Sequence, residues 1–228
     1  MSETTAERHI RTFHPRRGRM GNRHADAFAE LWPTLGITIE DGDRTPIEFA
    51  ELFGRRAPGV LEIGFGMGEG TALMAAADPG RDYLGVEVHT PGIGNLLALV
   101  GEQGLTNVRV AHGDAIELVR RIAPGSLDSV HSFFPDPWPK ARHHKRRLIQ
   151  PAYVALLRER LRPGGTLHCA TDWAHYAEAM AETLDADPGL ENTFDGYAPR
   201  PQHRPVTKFE QRGVQAGREI FDLVYRRR

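Results

Sequence analysis

The sequence predicts an α/β protein with a mostly parallel, doubly wound sheet, helices on both faces and an antiparallel strand at an edge. Three observations carry this. Five short runs rich in β-branched and aromatic residues alternate with stretches of helical apolar spacing. A glycine-rich turn follows the first run directly. The last segment, "EIFDLVYR", alternates as an added antiparallel strand would.

Taken in order, "DAFAELW" predicts a short helix over 26–32 stopped by Pro33, and 37–56 is a mixed lead-in. The strands are "GVLEIGFG", "DYLGVEV", "NVRVAHGD", "LDSVHSFF" and "TLHCATD", and the intervening helices are expected near 68–77, 92–103, 115–122, 145–161 and 174–186. "LRPGG" marks the end of the fourth of these helices. Residues 1–57 therefore read as a basic arm with a lead-in helix, and 58–228 as the main domain, all within one folding unit.

No apolar run approaches the length needed to span a bilayer, and the N-terminus lacks the apolar centre of a signal peptide, so a cytoplasmic location with no membrane partner is expected. Cys169 is the only cysteine, which excludes internal disulfides and thiolate zinc sites. The histidines are scattered along the chain apart from His143 and His144, so no metal is expected either.

A net charge of −1 argues, as an average, against a nucleic-acid partner. The average hides segregation. Arg8, Arg11, Arg16, Arg17, Arg19 and Arg23 occupy the arm without an acid among them, five cations follow "PDPWP", and three arginines end the chain. Fourteen of the 29 basic residues thus sit in three patches suited to local anion binding.

In "LEIGFGMGEG", Gly64, Gly66 and Gly68 allow a tight turn and close approach of a ligand to the backbone. A dinucleotide fingerprint would want glycine where Glu69 stands. Glu62, just before the turn, suits an ammonium better than a pyrophosphate, and S-adenosylmethionine has an ammonium and no phosphate. Glu87, ending the second strand, is placed to accept from ribose hydroxyls, and Asp114, after the third, to meet an adenine amino group or to cap the next helix. Acids at the carboxyl ends of successive parallel strands line one crevice.

"FFPDPWPKARHHKRRL" leaves the fourth strand over the same crevice. Its prolines fix where Asp136 and Trp138 point, so the indole is expected either to stack on a nucleobase or to anchor the turn, and Asp136 to accept from donor groups of a base. Lys140, Arg142, Lys145, Arg146 and Arg147 would track phosphates, with His143 and His144 adding donors.

These motifs, together with "GVEVHTPG", "ATDW" and "RPVTKFEQRG", closely resemble the bacterial tRNA (guanine-N7-)-methyltransferases from about residue 11 to 225. The resemblance implies a Rossmann-like class I methyltransferase fold and transfer of a methyl group from S-adenosylmethionine to guanine N7 in the variable loop of tRNA. Carried over by motif, Glu62, Glu87 and Asp114 hold the cofactor with the glycine turn, and Asp136 is both cofactor-adjacent and catalytic. Lys140, Asp172, Thr207, Lys208, Phe209 and Glu210 contact substrate, and residues 142–147 contact RNA. Asp172 also qualifies independently as a strand-end acid, whereas Thr207, Lys208 and Glu210 without the resemblance read as a surface ion pair. Cys169 reads as a core residue. Other readings of the same residues are methylation of another RNA or base, an RNA-binding module with a relic glycine loop, and, more remotely, a nicotinamide dehydrogenase.

Overall fold

The computed structural model describes residues 10–14 and 18–228, with the side chains of Lys208 and Phe209 outside that set; Arg8, Arg16 and Arg17 of the arm also lie outside the described residues. The chain runs α1 (Asn22–Leu35), β1 (Gly36–Thr38), α2 (Phe49–Phe53), β2 (Gly59–Ile63), α3 (Glu69–Ala77), β3 (Asp82–Glu87), α4 (Thr90–Gln103), β4 (Val108–His112), α5 (Ala115–Arg121) and β5 (Leu127–Phe133). A 3-10 turn (Ala141–Arg146) leads to α6 (Pro151–Arg160), β6 (Leu161–Thr171), α7 (Ala174–Asp185), β7 (Leu190–Asn192), α8 (Lys208–Gln215) and β8 (Phe221–Arg227).

The eight strands form one sheet in the order β1-β4-β3-β2-β5-β6-β8-β7. All pairs from β1 to β6 are parallel, and β8 runs antiparallel to β6 and to β7. The central strand β2 is buried at every position, which is why its run is continuously apolar except at Glu62. One face packs Leu61, Leu84, Ile116 and Leu118 with α5, α6 and α7; the other packs Val60, Tyr83, Leu96 and Val110 with α1, α3 and α4.

From β2 the chain winds outward through β3 and β4, then returns to lay β5 and β6 on the opposite side of β2. Such a reversal opens a crevice at the carboxyl ends of the central strands. Glu62 is level with His131 in the β2–β5 register, so the glycine turn after Ile63 and the proline loop after Phe133 leave the sheet side by side.

Two expectations are corrected. Pro33 lies inside α1 rather than ending it; the helix stops two residues later, and Thr34 Oγ1 donates to the Leu31 carbonyl at 3.2 Å. Pro33 forgoes one backbone bond, to the Ala29 carbonyl. The helix expected over 145–161 does not begin until Pro151, because the residue before a proline is pushed out of the α region, and Gln150 is extended at φ −149° and ψ 157°. The antiparallel edge is where it was expected, with β8 laid along β6 and three-residue β7 covering β8.

Candidate functional site

Gly64, Gly66 and Gly68 have φ of 75°, 62° and 74°, a left-handed run open only to glycine at low cost. Beside Gly64 and Gly66 the space a Cβ would take is open, so the turn offers bare backbone to a ligand. Gly68 is instead packed on Leu96, only 2.5 Å from where its Cβ would stand, which sets α3 against α4.

Glu62 is buried beneath this turn, and Thr71 Oγ1 donates to its Oε2 at 2.7 Å. Burial pushes its carboxyl up to about 7 against the lowering effect of the Thr71 hydrogen bond, and the charge of Glu87 adds to the rise. A carboxyl raised on folding stabilises the protein most below its ordinary value of 4.5, and that contribution is lost as pH climbs through about 7. Glu62→Gln is therefore expected to stabilise the ligand-free protein at pH 8, by at most about 3 kcal/mol, with little effect at pH 4. Urea denaturation at the two pH values checks this; equal effects at both would show that Glu62 titrates normally.

Glu87 ends β3 with its carboxylate held by backbone donors: Gly66 N–H to Oε2 at 2.9 Å, and Val88 and His89 N–H to Oε1 at 2.7 and 3.0 Å. It thus ties the glycine turn to the neighbouring strand. Asp114 follows its capping reading. Its Oδ1 caps α5 by accepting from Ile116 N–H at 2.8 Å, and the residue also lines a 280 Å³ cavity with Arg11, Phe13, Ile39, Asp41, Val88 and Gly113.

A second cavity of 250 Å³ is lined by His14, Asp136, Pro137, Trp138, Pro139, Lys140 and His143. The His14 N–H donates to Asp136 Oδ2 at 3.1 Å. The loop around Asp136 is strained: Phe134 and Trp138 both adopt positive φ, 55° and 46°, which bulky side chains rarely do. Strain held by prolines and packing on both sides of one carboxylate marks a position that the fold over-determines.

Trp138 follows the second of its two readings. It is 2% exposed, donates Nε1–H to the Thr12 carbonyl at 3.2 Å, and is covered by His14 at 4.0 Å and by the Arg146 guanidinium at 4.9 Å. It anchors the arm to the loop and presents no face to a base. Along the same rim, Trp173 at the end of β6 is 39% exposed.

The basic segment divides. Lys140, Arg142 and Lys145 are exposed, and His143, His144 and Arg146 are half-buried. Arg147 departs from the expectation of RNA contact. Only 4% exposed, it donates Nε–H to the Pro137 carbonyl at 3.0 Å, meets His175 Nδ1 at 3.1 Å and lies over the Tyr176 ring, bracing the Asp136 loop from behind. Lying at the end of a run of cations, it gave no sequence signal that it turns inward.

Asp172 is ion-paired with Arg218 at 2.6 Å. Thr207 caps α8 by accepting from Glu210 N–H at 3.2 Å, a capping arrangement that "TKFE" announces by its spacing. The surface pair envisaged for Glu210 is corrected: Glu210 is 4% exposed and grips buried Arg204 at 2.6 and 3.0 Å. Arg204 also holds both oxygens of buried Asp222, at 2.7 and 2.8 Å. Lys208 and Phe209 open α8, with side chains outside the described residues. Sequence reasoning did not single out Arg204, nor Phe13 and His14, which with Arg11 of the basic arm wall the two cavities.

The structure thus gathers the glycine turn, Glu87 and Asp114 on one side of the crevice and Asp136 with Lys140 on the other, joined by residues 10–14. Solved structures share this architecture: a 16S rRNA methyltransferase, KamB, at TM-score 0.57 and 17% identity, covering 79% of this chain and 92% of that one, and an antibiotic-related methyltransferase at TM-score 0.54 and 16% identity, covering 82% and 97%. At these identities the likeness is one of fold. In sequence, residues 56–223 match a family described as "Putative methyltransferase". A tRNA (guanine-N(7)-)-methyltransferase of Paraburkholderia xenovorans (strain LB400) is 56% identical over 99% of this chain and 86% of its own length. One of Streptomyces coelicolor is 57% identical over 97% and 82%. At that identity over nearly the whole of both chains, the protein belongs to the tRNA (guanine-N(7)-)-methyltransferase family.

Proposed function

We propose that the protein methylates N7 of a guanine in the variable loop of tRNA, in the cytoplasm, with Asp136 as the catalytic carboxylate. S-adenosylmethionine-dependent transfer to guanine N7 of tRNA is the reaction of the family. The observation that carries the site assignment is the shared rim: the glycine turn and the Asp136 loop leave adjacent strands at the point where the sheet reverses its winding.

The residues suit S-adenosylmethionine. Open backbone at Gly64 and Gly66 receives the methionine moiety, buried Glu62 favours its ammonium, and Glu87 faces the ribose once its carboxylate exchanges a backbone donor for a hydroxyl. The cavity at Asp114 takes the adenine. When bound, the cofactor supplies an electrophilic methyl group on sulfur.

Guanine N7 carries a lone pair and no proton in the neutral base, so no strong general base is required. The chain's task is orientation, an effect that supplies roughly 7–11 kcal/mol in favourable cases. Asp136 accepts from the donor edge of the guanine and stabilises the positive charge that grows on the purine as the new bond forms. Lys140 and Asp172 position the nucleotide, with Thr207, Lys208 and Phe209 contributing from the start of α8, which buried Glu210 fastens to Arg204. Arg142, Lys145, Arg146, His143 and His144 meet the phosphates. Arg147 serves by holding the loop.

The test is transfer of a labelled methyl group to unmodified tRNA and to the same transcript with 7-deazaguanine in the variable loop. Labelling of the first and not the second is expected. Equal labelling would refute N7 as the acceptor.

A further inference from the structure

Behind the rim, the fold brings together three histidines that are far apart in sequence: His131 on β5, His168 on β6 and His203 in the turn before α8. One ring nitrogen from each lies within 4.8 Å of the other two. We propose that this cluster is a binding site for a divalent transition-metal ion of the zinc type, with three imidazole ligands and a solvent-facing fourth position.

Three features point to a ligand. His131 is 4% exposed, and its Nδ1 has no hydrogen-bond partner, which is costly for a buried polar atom. His168 Nε2 lies 2.7 Å from Asp222 Oδ1, so it carries the proton there and turns the lone pair of Nδ1 toward His203 Nε2, 3.2 Å away. A carboxylate behind an imidazole is the outer-shell arrangement that orients metal-binding histidines. Finally, Arg204 faces two carboxylates, Asp222 and Glu210, leaving one formal negative charge beside the neutral rings.

A metal ion takes the lone pair of a neutral imidazole, which the unpartnered Nδ1 of His131 and the Nδ1 of His168 can offer here. Zinc–nitrogen bonds of about 2.1 Å in tetrahedral geometry require ring nitrogens about 3.4 Å apart. His203 is exposed and sits in a turn, so its movement opens a path for the ion. Bound there, the ion would fasten the turn carrying Arg204, and with it the start of α8, to the sheet. The spacing of histidines in the sequence concealed this, because His131 and His168 meet through the β5–β6 pairing and His203 comes from a distant turn.

The test uses the untagged full-length protein, stripped with a chelator and titrated with Zn²⁺ by calorimetry and with Co²⁺ by visible absorption. Saturable one-to-one uptake is expected, with the intense absorption of four-coordinate Co²⁺. His203→Gln, which alters an exposed side chain, should weaken Zn²⁺ binding by about tenfold or more, while His143→Gln with His144→Gln leaves it unchanged. Absence of saturable uptake, unchanged affinity in His203→Gln, or loss only with the His143 and His144 replacements would overturn the proposal.

Discussion

Asp136→Ala is expected to slow methyl transfer by roughly 10²–10³-fold, the usual cost of removing one group aimed at transition-state charge. Affinities for the cofactor and for tRNA should change only a few-fold, because in the proposed function the phosphates would be met by Lys145, Arg146 and their neighbours rather than by an acid. The lesion should therefore appear in kcat and not in KM. Asp136→Asn separates the two parts of the role: it keeps an acceptor oxygen without the charge and should recover only part of the rate. Single-turnover kinetics with saturating tRNA checks this. A variant that transfers at the normal rate once bound, and loses only RNA affinity, would remove Asp136 from the reacting centre.

Arg204→Ala should be the most damaging single substitution to the fold. It removes the guanidinium shared by Glu210 and Asp222 and leaves two carboxylates buried without it, a loss of about 3–5 kcal/mol for breaking a buried pair. The effect is pH-dependent. Burial alone would raise the Asp222 carboxyl, but hydrogen bonds from His168 and Arg204 outweigh it and hold the group below its ordinary value. That contribution is present at neutral pH and lost as pH falls below the ordinary carboxylate range near 3.8. Without Arg204 the carboxylates protonate more readily, so the difference from wild type should shrink between pH 8 and pH 5. Chemical denaturation at both pH values measures it, and a deficit below 1 kcal/mol would show that the network contributes little.

The strands were legible because each is encoded locally. A buried parallel strand needs a short β-branched and apolar run whatever its neighbours, and "GVLEIGFG" and "DYLGVEV" supply one. The glycine turn was legible for the same reason, since a left-handed backbone is adopted at low cost only by glycine. Three-residue β1 and β7 were not, because they exist only by pairing with distant partners, Gly36 with Val110 and Leu190 with Arg227. The strain at Phe134 and Trp138 also escaped, as a positive φ in an aromatic residue has no sequence signature.

Charge and aromaticity misled where position in the fold decides exposure. Arg147 lies in a cationic run and Trp138 beside it, yet both are buried, one braced against Tyr176 and the other under the arm. Their neighbours along the chain say nothing of this, since the burying groups come from residues 12–14 and 175–176.

The sequence by itself determined the alternation of strands and helices, the acids at the strand ends and the loop that carries Asp136, because each depends on residues a few positions apart. Only the tertiary structure decided which side chains meet: Glu210 with Arg204, Asp172 with Arg218, and three histidines gathered at one place. Burial and pairing are properties of residues brought close by the sheet's winding, and a linear pattern does not record that distance.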